Sequence, residues 1–222
     1  MWRDAALVGG KDLRVEWHSR VAAMQVAPYA VVVLLLFGFA FDQDHALLTQ
    51  AAPGLFWVAV LLSSLLAVQR SYAIESSDGA RDGLRLTGLD PAGIFLGKAA
   101  AVAAQLLLLE VLLGFGVVVL FGTRLHDPAL LVVSALAATV GLAAAGTVYG
   151  MVASGLRVRE TLLPMLILPV VAPVLLGATQ CWMAALGSAR TDGWKWLSLL
   201  AAFGAIYTAL GVVSFSTLVE ET

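Results

Sequence analysis

Apolar residues in this chain come in long unbroken runs, and the polar residues fall between the runs rather than within them. A helix needs about 20 mostly apolar residues to cross the hydrocarbon of a bilayer. Six stretches fit, allowing a few residues at each end: Ala22 to Phe41, Pro53 to Val68, Ala99 to Phe121, Ala129 to Ala153, Leu162 to Leu186 and Trp196 to Val219. Barrel strands alternate over about ten residues, whereas these runs are continuous, so helices are the spanning form. The pattern predicts an all-α polytopic membrane protein, a single transmembrane domain over residues 1–222 with six transmembrane helices and no internal repeat.

The polar intervals add two further elements. Before the first run, within residues 2–20, Trp2, Ala6, Leu13 and Trp17 fall on one side of a helix, while Arg3, Asp4, Lys11, Asp12 and Glu16 lie elsewhere. Val8 and Val15 sit off that stripe. Tryptophan favours the headgroup level, so the segment reads as a helix lying in the membrane interface. After the second run comes the longest and most charged connection, Gln69 to Lys98, with Glu75, Asp78, Arg81, Asp82, Arg85 and Asp90. It can form one or two helical turns, although a solvated loop would carry the same charges. Asp90-Pro91 and His126-Asp127-Pro128 both read as helix starts, with aspartate as cap and proline in the first turn.

Charge then sets an orientation. With the N-terminus inside, ten Lys and Arg residues fall on the inner side and only Arg124, Arg190 and Lys195 outside, of the 13 in the chain. That bias predicts both termini in the cytoplasm. Composition agrees with a membrane protein: 60% of residues are hydrophobic and 13% charged, against about 25% charged in soluble domains. There is no basic excess, so nothing points to nucleic acid. The single cysteine, Cys181, cannot form an internal disulfide. The first apolar run begins late and lacks a small-residue cleavage site, unlike a signal peptide.

Candidate chemistry is sparse. Glu110 stands in the middle of the third run, where an ionised carboxylate is expensive. It is expected to face protein or water, with Gln105, Gln180 and Tyr149 as polar candidates beside it, either on a substrate path or as a hydrogen-bonding link between helices. Pro164, Pro169 and Pro173 each remove a backbone donor from the fifth run, which is therefore expected to be kinked or broken. His45 and His126 lie in outer connections. Gly93-Ile94-Phe95-Leu96-Gly97-Lys98 superficially suggests a phosphate loop, but that loop needs four residues between its glycines and Ser or Thr after its lysine. No catalytic constellation and no carboxylate cluster with metal spacing is present in the sequence.

The run Ala52-Pro53-Gly54-Leu55-Phe56-Trp57 through Ser63-Ser64-Leu65-Leu66-Ala67 resembles the second span of the haem exporter protein B family, CcmB. Glu75, Asp78-Gly79, Asp82-Gly83-Leu84, Pro91 and Gly97-Lys98 continue the likeness, as does Leu162-Leu163-Pro164 to Pro169 and Pro173. The resemblance implies an ABC-2-like permease of the bacterial inner membrane, a non-catalytic subunit of an ATP-hydrolysing complex for cytochrome c maturation. Its implied partners are the ATPase CcmA, the membrane proteins CcmC and CcmD, and the periplasmic haem chaperone CcmE, with two permease copies or one copy beside a homologous partner. ATP would bind the ATPase, and haem would be a substrate rather than a cofactor held by this chain. His45 and His126 become candidate periplasmic haem contacts. The resemblance also turns Glu75, Asp78, Arg81, Asp82 and Leu84 into a cytoplasmic coupling helix on which the ATPase docks, with Tyr72, Ile74 or Leu84 adding apolar burial. A permease for another hydrophobic substrate and a non-translocating assembly subunit remain as alternatives.

Overall fold

In the computed structural model, residues 1–19, 27–40, 45–77, 88–122, 125–154, 159–188 and 192–221 are described, and nearly all of them are helical. In chain order these are α1 (Trp2–Ser19), α2 (Ala27–Ala40), α3 (His45–Ser77), α4 (Pro91–Phe121), α5 (Pro128–Ser154), α6 (Arg159–Ala185) and α7 (Gly193–Glu221). Five of them, α3 to α7, are long and apolar enough to cross a bilayer. The protein is thus a multi-pass, all-helical membrane protein. Helix α2 has 14 described residues, which at about 1.5 Å per residue falls short of a hydrocarbon core of about 30 Å. The flanks of the first expected span, 20–26 and 41–44, lie outside the described residues.

The helix starts follow their local chemistry. Asp90 is in an extended conformation and accepts from the Ala92 amide at 3.0 Å, with Pro91 opening α4. Asp127 accepts from the Leu130 amide at 3.0 Å ahead of α5. Both satisfy a donor that a helix end leaves bare. Gly122 then ends α4 in the left-handed region, at φ 61. The expected helix start at Asp90 and the expected third span are one continuous helix. Likewise α3 extends past the expected 53–68 at both ends, through Pro53.

The most enclosed helices are α3 and α5. Small residues bring them together: Val68 stands against Gly146, and Tyr72 against Gly150, where any larger residue would collide with the ring. Their polar groups are satisfied locally, Ser63 on the Ala59 carbonyl and Ser64 on the Leu61 carbonyl, each at 2.7 Å. Helix α7 packs on α5 and α6, and reaches α4 where Phe215 meets Phe95. On α4, the exposed Leu108, Val111, Leu112, Phe115 and Val119 form an apolar outer surface suited to lipid.

Of the kink or break expected in the fifth run, the break does not occur: α6 is one helix from Arg159 to Ala185 with Pro164, Pro169 and Pro173 inside it. Pro169 and Pro173 lie on its exposed side, while Leu163, Ile167, Val171, Val174 and Ala178 are buried on the other. Packing of that buried side holds the helix together despite the lost donors. Helix α1 also has a second side that the Trp2/Leu13/Trp17 stripe conceals. Trp2 and Trp17 are 75% and 78% exposed, whereas Val8 is 3% exposed. The exposed tryptophans remain available to the headgroup layer. Here the side built from Ala5, Val8, Gly9 and Asp12 packs on α4.

Candidate functional site

The polar residues that α1 brings to the bundle meet those of α4 at a close crossing. Gly93 of α4 lies against the Met1 carbonyl and the Asp4 side chain, and Gly97 against the Ala5 carbonyl, Val8 and Gly9. A Cβ on Gly9 would stand 2.9 Å from the Gly97 carbonyl. The two glycines that imitate a phosphate loop in sequence therefore act as a helix-packing surface.

The lysine that follows them is the most unusual charge described. Lys98 is only 2% exposed. Its ammonium lies 3.6 Å from Asp12 Oδ2 and 5.0 Å from the centre of the Tyr72 ring. Asp12 also pairs with Lys11 through Oδ1 at 3.2 Å. The Tyr72 hydroxyl donates to the Thr147 carbonyl of α5 at 2.7 Å. A buried ammonium is costly unless paired, and here the carboxylate and the ring face share that task. At the outer end of the same crossing, Asp4 accepts from the Asp90 amide at 3.3 Å, and the Met1 ammonium lies 3.3 Å from both aspartates. The Asp90 amide first, and then the neighbouring ammonium, hold the Asp4 carboxyl below the usual carboxylate range.

Farther along α4, Glu110 is 5% exposed and faces protein, while Val111 beside it is 73% exposed. Thr139 of α5 donates to Glu110 Oε1 at 2.5 Å and also lies 2.8 Å from the Ala135 carbonyl. Glu110 Oε2 has no hydrogen-bond partner among the described residues. The polar partner is thus Thr139 rather than the expected Gln105, Gln180 or Tyr149. Gln180 is half-buried in α6, and Tyr149 packs beside Tyr207, ring centres 6.4 Å apart. Near the end of α6, Trp182 stacks on Phe56 at 3.9 Å and meets Trp57 edge-on at 5.6 Å. The buried Trp57 and Trp182 indole nitrogens lack hydrogen-bond partners among the described residues.

The remaining sequence candidates are placed as follows. Asp78, Arg81, Asp82 and Leu84 lie outside the described residues, and Glu75 belongs to the end of α3. Tyr72 is 3% exposed. Bound inside the bundle by Thr147 and Lys98, it cannot supply the apolar contact to a soluble partner expected of it. His45 is the first residue of α3. His126 is exposed, and its amide donates to the Ala185 carbonyl at 2.9 Å, tying the turn before α5 to the end of α6. Among the described residues, no three His, Cys, Asp or Glu side chains gather as metal ligands would. Sequence reading missed Lys98, Asp12 and Thr139. The available signal was a lysine directly after Gly-x-x-x-Gly in a run that otherwise reads as apolar.

Comparison with known proteins agrees over nearly the whole chain. The family model described as CcmB protein matches residues 5–220. The heme exporter protein B of Paracoccus denitrificans is 31% identical over 204 residues, covering 90% of this chain and 91% of that protein. That of Pseudomonas aeruginosa is 28% identical over 210 residues, covering 94% of each. That of Haemophilus influenzae is 29% identical over 175 residues, covering 79% of each.

Proposed function

The chain belongs to the CcmB protein family, and from that premise we propose that it is the membrane permease subunit of an ABC-type complex for cytochrome c maturation. In this reading it couples ATP hydrolysis by a separate ATPase, CcmA, either to haem export or to release of the haem-loaded periplasmic chaperone CcmE. The observation that carries the reading is the family match across residues 5–220, which spans every helix. The fold supports it physically. Five of the described helices are long and apolar enough to cross a bilayer, which suits a membrane subunit energised by a separate ATPase.

The finer features of the proposal are these. The chain has six spans in an ABC-2-like arrangement, the first comprising α2 and its flanks. It lies in the bacterial inner membrane with both termini in the cytoplasm, beside CcmC and CcmD, as two copies or with a homologous partner. The connection between α3 and α4 receives the ATPase through Glu75, Asp78, Arg81, Asp82 and Leu84. Exposed ion pairs contribute only about 0–1 kcal/mol each, so apolar burial by Ile74 or Leu84 has to accompany them. Glu110 and the outer histidines His45 and His126 are the candidates for contact with substrate.

Replacing Asp78 and Asp82 together with Lys tests the docking. The expected result is loss of the ATPase from affinity-purified membranes, with the permease still inserted at wild-type level. Undiminished ATPase retention, with cross-links mapping to another connection, would overturn it.

A further inference from the structure

The connection proposed to receive the ATPase hangs from two stems, the last turns of α3 and the first turns of α4. A force on such a loop can do two things. It can move both stems together, or it can spread them and be dissipated. The residues that decide between these are the ones that tie stem to stem.

Among the described residues, Tyr72 on α3 and Lys98 on α4 make such a tie, with the ammonium 5.0 Å over the ring. The tie does not stop there. Asp12 joins Lys98 to α1, and the Tyr72 hydroxyl joins α3 to the Thr147 carbonyl of α5. One buried cation thus stands where three helices meet, and its aromatic neighbour passes the contact to a fourth. Helix packing alone does not require this charge. Gly9, Gly93 and Gly97 already bring α1 onto α4, and an apolar side chain at position 98 would avoid the cost of burying an ammonium. Buried ion pairs are often replaceable by apolar residues without loss of stability. What a charge adds is direction, since it holds Asp12 and the Tyr72 ring face to a single register.

We infer that Lys98 is a positioning residue, which binds α1 and both stems of the ATPase-receiving connection into one body, joined to α5 through Tyr72. The inference rests on the function proposed above and adds the internal element through which the signal enters the bundle. It assigns α1 a mechanical part beyond that of a surface anchor.

The test uses the full complex. The double variant Lys98→Met with Asp12→Leu removes both charges and leaves neither uncompensated, and Lys98→Arg keeps the charge at a larger size. The double variant should keep the ATPase bound and hydrolyse ATP within about twofold of wild type, yet lower haem-stained c-type cytochrome at least about tenfold. Lys98→Arg should retain maturation within about threefold. A side chain that merely filled space would give the opposite order, with methionine tolerated and arginine not. Maturation by the double variant within about twofold of wild type would overturn the inference. Loss of the ATPase from that variant would overturn it too, because the pair would then serve docking rather than transmission. If the double variant is poorly inserted, Lys98→Arg decides, and its failure to mature cytochrome counts against the inference. A fault in the underlying function would show separately, as full ATPase retention by the Asp78→Lys, Asp82→Lys variant.

Discussion

Gly97→Ala isolates the close approach of α1 to α4, because a second glycine on the same helix provides its control. A Cβ at position 97 would stand 2.6 Å from the Ala5 carbonyl oxygen, 2.8 Å from Val8 Cβ and 3.0 Å from the Gly9 nitrogen, where ordinary contact begins at 3.4 Å. Two of these neighbours are backbone, so no rotamer change relieves the collision and α1 itself has to move outward. Overpacking of this kind costs about 1–3 kcal/mol. Against it stands the helix preference of alanine over glycine, about 1 kcal/mol in favour of the substitution. Gly114→Ala has the same preference and no collision, since nothing lies within 4 Å of a Cβ there. Comparing the two cancels propensity and leaves the steric cost, so Gly97→Ala should be the less stable by about 1–3 kcal/mol. The assay is reversible unfolding of the purified protein in mixed micelles, followed by tryptophan fluorescence. Trp2 and Trp17 on α1 should also report the displaced helix before global unfolding. Equal stability of the two variants would refute the claim that α1 is seated on α4 through Gly97.

Two further outcomes follow from the interior and from the topology. Thr139→Val leaves Glu110 Oε1 buried without its donor and should lower stability by about 1–3 kcal/mol, whereas Glu110→Gln keeps an acceptor for Thr139 and should cost less. The same unfolding assay checks both, and a Thr139→Val variant as stable as wild type would show that the bond carries no structural weight. For orientation, reporter fusions at Gly122 and Gly193 should read periplasmic and one at Gly155 cytoplasmic. The reversed pattern would exclude the positive-inside assignment.

Much of the fold was legible because membrane spans are written in composition rather than in contacts. Water is absent from the hydrocarbon, so every span must satisfy its own backbone and present apolar side chains over most of its surface. That signal is local, and it located α3 to α7 and the starts at Asp90 and Asp127. The family likeness was legible for a related reason, as the runs around Pro53 and Pro164 are contiguous in sequence. Element ends were less legible. Helix α3 continues beyond its apolar run to Ser77 as a polar stem, which hydropathy alone does not assign to a helix.

The tertiary structure decided which residues share a site. Thr139 looks unremarkable in sequence, and only the packing of α5 on α4 brings its hydroxyl to Glu110 at 2.5 Å. Asp12 reads as one of several charges on a surface helix until Gly9 and Gly97 let α1 close on α4 and aim it at Lys98. The three prolines of α6 predict disruption locally, yet the buried row from Leu163 to Ala178 keeps the helix whole. The chain by itself determined where the five long apolar helices α3 to α7 lie, the caps at Asp90 and Asp127 and the cost of its buried charges, all of which depend on near neighbours in sequence. The pairing of those charges depends on side chains far apart in sequence whose distance is set by small residues at helix crossings, and so it was settled only when the helices packed.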